Sequence, residues 1–385
     1  MMKIALAHKR LDLSGGTERD FYLTAEGLRD LGHEVHLFCS EFAVEPPPGT
    51  VAHKVPVLAL GRTARLVSFA FLCPRIIAPY KCDLVMSFGR MVQQDILRCG
   101  GGSHQVFLQK MSRGEGAWRR LWHRFSLYHR SVLAIERRQY DLHSYKRIIA
   151  VSREVKREIV ATYRAPEEKV TVIYNGVDSG RFHPRHREKA GEKIRRQWGI
   201  PLEARVVLFV GSGFQRKGLD RLLRVWGSPR LAGIYLLVVG EDAQKGRYIS
   251  RAERQAKRMI LFAGRQDEIE SYFGAADLLA LPALQEAFGN VVLEALAAGL
   301  PVLVSGTVGA AEVLTGELEQ GILTCPDDPL EVEARVLALL DPKRWQFISE
   351  QARGLGERYS WKNHFRELES CLAEVAGRER RGAVA

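Results

Sequence analysis

The sequence has no apolar run long enough to cross a bilayer. Its longest uncharged stretch, 295–311, is seventeen residues interrupted by Gly299 and Pro301, short of the roughly 20 apolar residues a spanning helix needs. A secretory leader pattern is also missing, because Lys3, Lys9 and Arg10 break up the first residues before an apolar core can form. The six cysteines, at 39, 73, 82, 99, 325 and 371, make no CxxC pair and no metal-ligand spacing. This predicts reduced, mostly buried thiols in a cytoplasmic protein. There is no short-period repeat and no low-complexity segment beyond the basic tail 378–381.

What is present fits a globular enzyme of two domains. The 385 residues suit two domains of about 150–200 each. With 46% hydrophobic and 26% charged residues, wholesale disorder is excluded. The net charge of +12 calls for an anionic partner, which could be nucleic acid, an acidic lipid surface or a phosphorylated substrate. The excess is local: between His104 and Arg164 there are fourteen Lys or Arg against five Asp or Glu.

Short β-rich runs recur at 3–8, 34–38, 83–87, 95–99, 147–151 and 170–174, with helical periodicity over 19–31 and 152–163. A polar stretch, 175–199, interrupts the series and reads as a linker. A second series follows at 205–210, 234–239, 259–263, 277–281 and 301–305. Strands apolar on both faces and alternating with helices predict parallel sheets covered on both sides. The fold class expected is therefore α/β, with two Rossmann-like doubly wound domains facing across a cleft. The first domain is expected over 1–178, completed by a C-terminal helix at 360–385, and the second over 179–359.

Ligands of such sheets bind outside the carboxyl ends of the strands, so the chemistry is expected in the loops there. After the first strand, Gly15 and Gly16 open a helix and can expose backbone amides to an anion or sugar; a plain tight turn explains them equally well. In the second series the loop 210–218 is glycine-rich, but Arg216 stands at the third glycine of a dinucleotide fingerprint, and Leu219 rules out a P-loop. What remains is a turn with two adjacent cations, Arg216 and Lys217, able to clamp a diphosphate. Further on, Glu286 and Glu294 flank the turn Phe288-Gly289-Asn290 at a helix start. Two carboxylates there can accept hydrogen bonds from sugar hydroxyls while amides face an anion; taken alone they are ordinary helix-start acids.

Together the pattern E-x-F-G-x-x-x-x-E-A at 286–295, the Arg216-Lys217 pair and the Gly15-Gly16 loop resemble the retaining glycosyltransferases of family 4, which have the GT-B fold. Asn175-Gly176-Val177-Asp178 and Ser360-Trp361 extend the resemblance over nearly the whole chain. Within that family the likeness is to enzymes of lipopolysaccharide core assembly. It implies transfer of glucose from UDP-glucose to the inner-core heptose, with no metal or other cofactor. By resemblance, Arg216 and Lys217 hold the leaving diphosphate, Glu286 the donor sugar and Glu294 the ribose. The amides of Phe288, Gly289 and Asn290 would contact the sugar or its phosphate, and the base would lie near Arg265. His104 would touch the transferred sugar and Asp20 the acceptor, although His104 could be a loop histidine and Asp20 a first-turn acid. One departure is Ala310-Ala311, where many relatives carry glycine.

Trp118, Leu121, Trp122, Phe125, Tyr128, Val132 and Ile135 fall at helical spacing, with Arg119, Arg120 and Arg124 on other faces. Such a helix could lie on an anionic membrane or pack its stripe on its own domain. The leading expectation is a peripheral enzyme on the inner face of the cytoplasmic membrane, using a UDP-sugar donor and a glycolipid acceptor. A different glycan or lipid-linked acceptor is the alternative. A nucleic-acid-binding protein is a distant one, since no reader motif accompanies the charge.

Overall fold

The computed structural model describes residues 1–13, 15–111, 126–256 and 259–377. The chain divides into two compact units, one of Met1–Asn175 together with the chain from Lys362, the other of Gly176–Trp361. The candidate membrane residues Trp118, Arg119, Arg120, Trp122, Arg124 and Phe125 lie outside the described residues.

The first unit holds a seven-stranded, all-parallel sheet. In chain order its strands are β1 (Lys3–Ala7), β2 (Glu34–Cys39), β3 (Val51–Lys54), β4 (Leu84–Ser87), β5 (Ile96–Cys99), β6 (Arg147–Ala150) and β7 (Val170–Val172). Across the sheet they run β3-β2-β1-β4-β5-β6-β7, so the order reverses between β1 and β4. Ile4, Leu6, Leu37 and Ile149 are fully buried, as strands covered on both faces require. The helix Gly16–Asp30 packs Phe21, Ala25 and Leu28 onto this core. The last helix, Trp361–Val375, returns to the first unit and buries Leu368 and Leu372 there, each worth about 1.5–3 kcal/mol. The two helices touch so closely at Gly27 that a Cβ would lie 2.3 Å from the Phe365 ring.

The second unit repeats the plan with six parallel strands: β8 (Val206–Val210), β9 (Tyr235–Val239), β10 (Ile260–Gly264), β11 (Leu278–Leu281), β12 (Val302–Ser305) and β13 (Ile322–Leu323). Their order is β10-β9-β8-β11-β12-β13, with the reversal between β8 and β11.

Two departures from the sequence reading have clear causes. The edge strand β3 has three exposed residues and one half-buried one, so its sequence carries no apolar signal. The stretch 176–200 is not a linker but belongs to the second unit. There Asp277, 1% exposed, gathers Arg187, Arg195 (2.8 Å) and Arg205 (3.2 Å). Gly191 lies where a Cβ would sit 2.4 Å from the Gly274 carbonyl oxygen.

Candidate active site

In a doubly wound sheet the crevice opens where the strand order reverses. In the second unit that point lies at the carboxyl ends of β8 and β11, and the loops after these two strands carry Arg216, Lys217 and Glu286. The β8 loop turns through Gly211 (φ 134°), Gly213 (φ 74°) and Gly218 (φ 81°). Gly218 has a second reason to be glycine, since a Cβ would come 1.9 Å from the Pro282 carbonyl oxygen. This close approach joins the two loops, and the Leu284 amide donates to the Arg216 carbonyl at 2.8 Å.

Three of the expected residues meet there. Arg216 donates to Glu286 Oε2 at 2.7 Å and to the Gln285 carbonyl at 3.0 Å. Lys217 Nζ lies 3.4 Å from the same Oε2. Burial pushes the Glu286 carboxyl up, but the Lys217 and Arg216 charges outweigh it and hold it below its ordinary value. The carboxylate is thus anionic and immobilised at neutral pH. The cations remain partly open, with side chains 28% and 12% exposed, so a phosphate can reach them.

The Glu286 loop is fixed from its far side. Glu286 forms a parallel bridge with Val308, and its carbonyl accepts from the Gly309 amide at 3.1 Å while that of Phe288 accepts from the Ala310 amide at 2.8 Å. The residues at the Ala310-Ala311 departure thus help brace this loop. Gly289, at φ 94°, is the N-cap of the helix Asn290–Ala297. Phe288 is buried and Glu294 is 8% exposed on the following helix. Arg265 is exposed just after β10.

The first unit places its expected residues differently. Gly15 and Gly16 open the helix Gly16–Asp30, with Gly15 as its N-cap. Glu18 Oε2 occupies the space beside it, 2.2 Å from where a Gly15 Cβ would be. Asp20 does not face solvent and so is not placed to meet an acceptor directly, which corrects the sequence expectation. It is 2% exposed and accepts from Arg98 Nε at 2.6 Å. Arg98 is itself 1% exposed and also donates to Asn175 Oδ1 at 2.6 Å. Two buried opposite charges with this geometry hold each other in place.

His104 starts the helix His104–Met111. Its backbone amide is 3.2 Å from both Glu136 carboxylate oxygens, and its Nε2 is 2.9 Å from His129 Nδ1. Burial, with Arg90 and His129 nearby, lowers its pKa to about 4, so its ring is neutral at pH 7. The sequence reading missed Glu136, which is 3% exposed. It accepts from Arg90 at 2.9 Å and from the Tyr163 hydroxyl at 2.5 Å and so anchors the loop that carries His104. Its helix, Leu127–Gln139, is capped by Ser126 and buries Val132 and Ile135, so this described end of the aromatic-basic stretch packs on its own unit.

Residues 14–181 match the family Glycosyltransferase Family 4, and residues 191–355 match Glycosyl transferases group 1. With one such domain in each unit, the chain belongs to the GT-B glycosyltransferases of group 1 and family 4. It is similar to the lipopolysaccharide glucosyltransferase WaaG of Escherichia coli K12, at 27% identity over 305 residues, 78% of this chain and 79% of that one. An uncharacterized glycosyltransferase of Methanocaldococcus jannaschii is 30% identical over 251 residues, 63% of each chain. A D-inositol 3-phosphate glycosyltransferase of Thermobispora bispora is 31% identical over 251 residues, 61% of this chain and 57% of its own. The chain thus spans less than two thirds of these last two relatives. The crystal structure of WaaG superposes with a TM-score of 0.77 at 23% identity, covering 98% of this chain and 100% of that one. The Anabaena protein HepE in complex with UDP-glucose gives 0.71 at 18%, covering 97% and 100%.

Proposed function

We propose that this glycosyltransferase moves glucose from UDP-glucose onto the inner-core heptose of lipopolysaccharide, with retention at the anomeric carbon. The observation that carries this reading is the cluster of Arg216, Lys217 and Glu286 at the reversal point of the second sheet. Breaking the bond to the diphosphate builds negative charge on the leaving oxygen, and two fixed cations beside it stabilise that charge most in the transition state. Glu286, held anionic, accepts from donor-sugar hydroxyls, Glu294 from the ribose, and the base lies by Arg265. Arg216 and Lys217 take the part that a divalent cation plays elsewhere. In the first unit, neutral His104 hydrogen-bonds the transferred sugar, and Asp20 acts through Arg98 as a positioning residue.

Support for the donor and acceptor comes from the likeness to WaaG, named a lipopolysaccharide glucosyltransferase, and to HepE, whose structure holds UDP-glucose. A second reading keeps the enzyme class and changes the acceptor to another glycan or a lipid-linked one; the relatives named D-inositol 3-phosphate glycosyltransferases support it only in that acceptors differ among similar proteins. No described helix is long and apolar enough to cross a membrane, and we assign the enzyme to the inner face of the cytoplasmic membrane as a peripheral protein. The test is a screen of UDP-sugars against a heptose-containing core acceptor, with linkage analysis of the product. Glucose attached with its donor configuration supports the reading; transfer of another sugar, an inverted linkage or no transfer rejects it.

A further inference from the structure

The two cations of the second unit's crevice stand on very little structure. Arg216 and Lys217 lie in a single helical turn, Phe214–Lys217, entered from Gly213 in the left-handed region (φ 74°, ψ 60°). Gly213 has no side chain to accept from the amides that open the turn. The left-handed glycines at 211, 213 and 218 also give up more backbone freedom on ordering than other residues would. The loop therefore depends on ties from outside it.

One such tie comes from the loop after β9. Asp242 is half-buried and lies 28 residues farther along the chain, where its Oδ2 accepts from the Phe214 amide at 2.8 Å. Its other oxygen, Oδ1, accepts from the Gln244 amide at 2.7 Å, so the carboxylate has one oxygen on each loop. Phe214 is 0% exposed, and without Asp242 its amide would be buried and unpaired unless the turn shifted.

The backbones of the two loops cross just before this contact. The Gly211 amide donates to the Val239 carbonyl at 2.9 Å, and a Cβ on Gly240 would lie 2.2 Å from the Gly211 carbonyl oxygen. Lys217 in turn folds over Gly211, where a Cβ would sit 2.5 Å from its Nζ. The place of the Lys217 ammonium thus follows from how the turn is held against the β9 loop. The charge of Asp242 opposes a diphosphate, so any binding it adds has to come through the hydrogen bonds it accepts.

We infer that Asp242 is a positioning residue for the diphosphate: it caps the Arg216–Lys217 turn from a separate loop and sets the direction of both cations. The inference rests on the donor-site reading above and adds a residue that acts through that site's cations.

The test is calorimetric titration of UDP and of uridine into the parent chain, Asp242→Ala and Asp242→Asn. Uridine carries base and ribose without phosphate and does not report on the turn. The parent is expected to bind UDP at least about tenfold more tightly than uridine. Asp242→Ala should weaken UDP about five- to tenfold, the fold-change that losing a helix cap corresponds to, and leave uridine unchanged. Asp242→Asn keeps an oxygen for the Phe214 amide and should recover most of that loss. In the Arg216→Gln/Lys217→Gln background, Asp242→Ala should cost nothing further, because the cations it positions are gone. A role in stability alone would lower the unfolding midpoint and leave the UDP affinity of the folded chain at the parent value. A role through charge alone would make both Asp242 variants bind UDP more tightly. Either result overturns the inference, as does an equal loss of UDP and uridine, an equal loss in the two variants, or a full further loss in the double-cation background. A parent that binds UDP no better than uridine counts against the diphosphate site itself. A parent that discriminates, with an Asp242→Ala variant that discriminates equally well, confines the failure to Asp242.

Discussion

The two units share one plan and use it for opposite kinds of charge arrangement. In the second, Arg216, Lys217 and Glu286 meet at the reversal point with their side chains still 12–28% exposed. In the first, the ion pair Arg98–Asp20 is almost fully sealed, at 0% and 2% side-chain exposure. The residue types are the same, and what separates them is solvent access. A pair that a ligand can reach can exchange its partners for substrate, whereas a sealed pair acts by holding its neighbours in place. Asp20 and Glu286 would be hard to tell apart as acids near a helix start in the sequence.

This contrast can be broken by substitution. The largest effect is expected from Arg98→Ala, which leaves Asp20 charged and buried and should cost about 3–5 kcal/mol of stability in denaturant unfolding. A cost near zero would mean the pair is not sealed. Lys217→Ala should do the reverse, lowering kcat by about 10²–10³-fold while leaving the unfolding midpoint close to that of the parent. A variant that loses stability and not rate would move Lys217 into the structural class.

A subtler difference appears on acidification. Glu18 is held down to about 2, chiefly by its hydrogen bond with His8 and against an opposing burial effect. Because its folded pKa lies below the ordinary 4.5, its contribution to stability is complete above that value and is lost as pH falls toward about 2. His104 behaves in the same direction over a higher window: its folded pKa of about 4 lies below 6.5, so stability falls as pH drops from 6.5 to 4. The variants Glu18→Gln and His104→Gln should each flatten unfolding free energy against pH in their own window. The smallest effect is expected from chelation: with Arg216 and Lys217 on the diphosphate, EDTA should leave the transfer rate unchanged, and its abolition would require a metal in the donor site.

How far the sequence carried the reading depends on the kind of signal. Strands such as Val206–Val210 and Tyr235–Val239 are apolar throughout and were legible to within a residue. The exposed strand Val51–Lys54 and the two-residue strand Ile322–Leu323 were not, because neither offers an apolar period. The meeting of Arg216, Lys217 and Glu286 was foreshadowed because these residues sit in loops with turn signals on either side. Glu136 was hidden beside the apolar Val132 and Ile135 on one helix, and nothing in the chain marks it as the anchor of a loop 32 residues earlier.

The central claim is that the second unit's crevice is a nucleotide-diphosphate site built on Arg216 and Lys217. Titrating UDP into the parent chain and into the Arg216→Gln/Lys217→Gln variant tests it most directly. The account predicts binding by the parent and a loss of about a hundredfold in the variant, with unchanged unfolding. Equal affinities for UDP would contradict it.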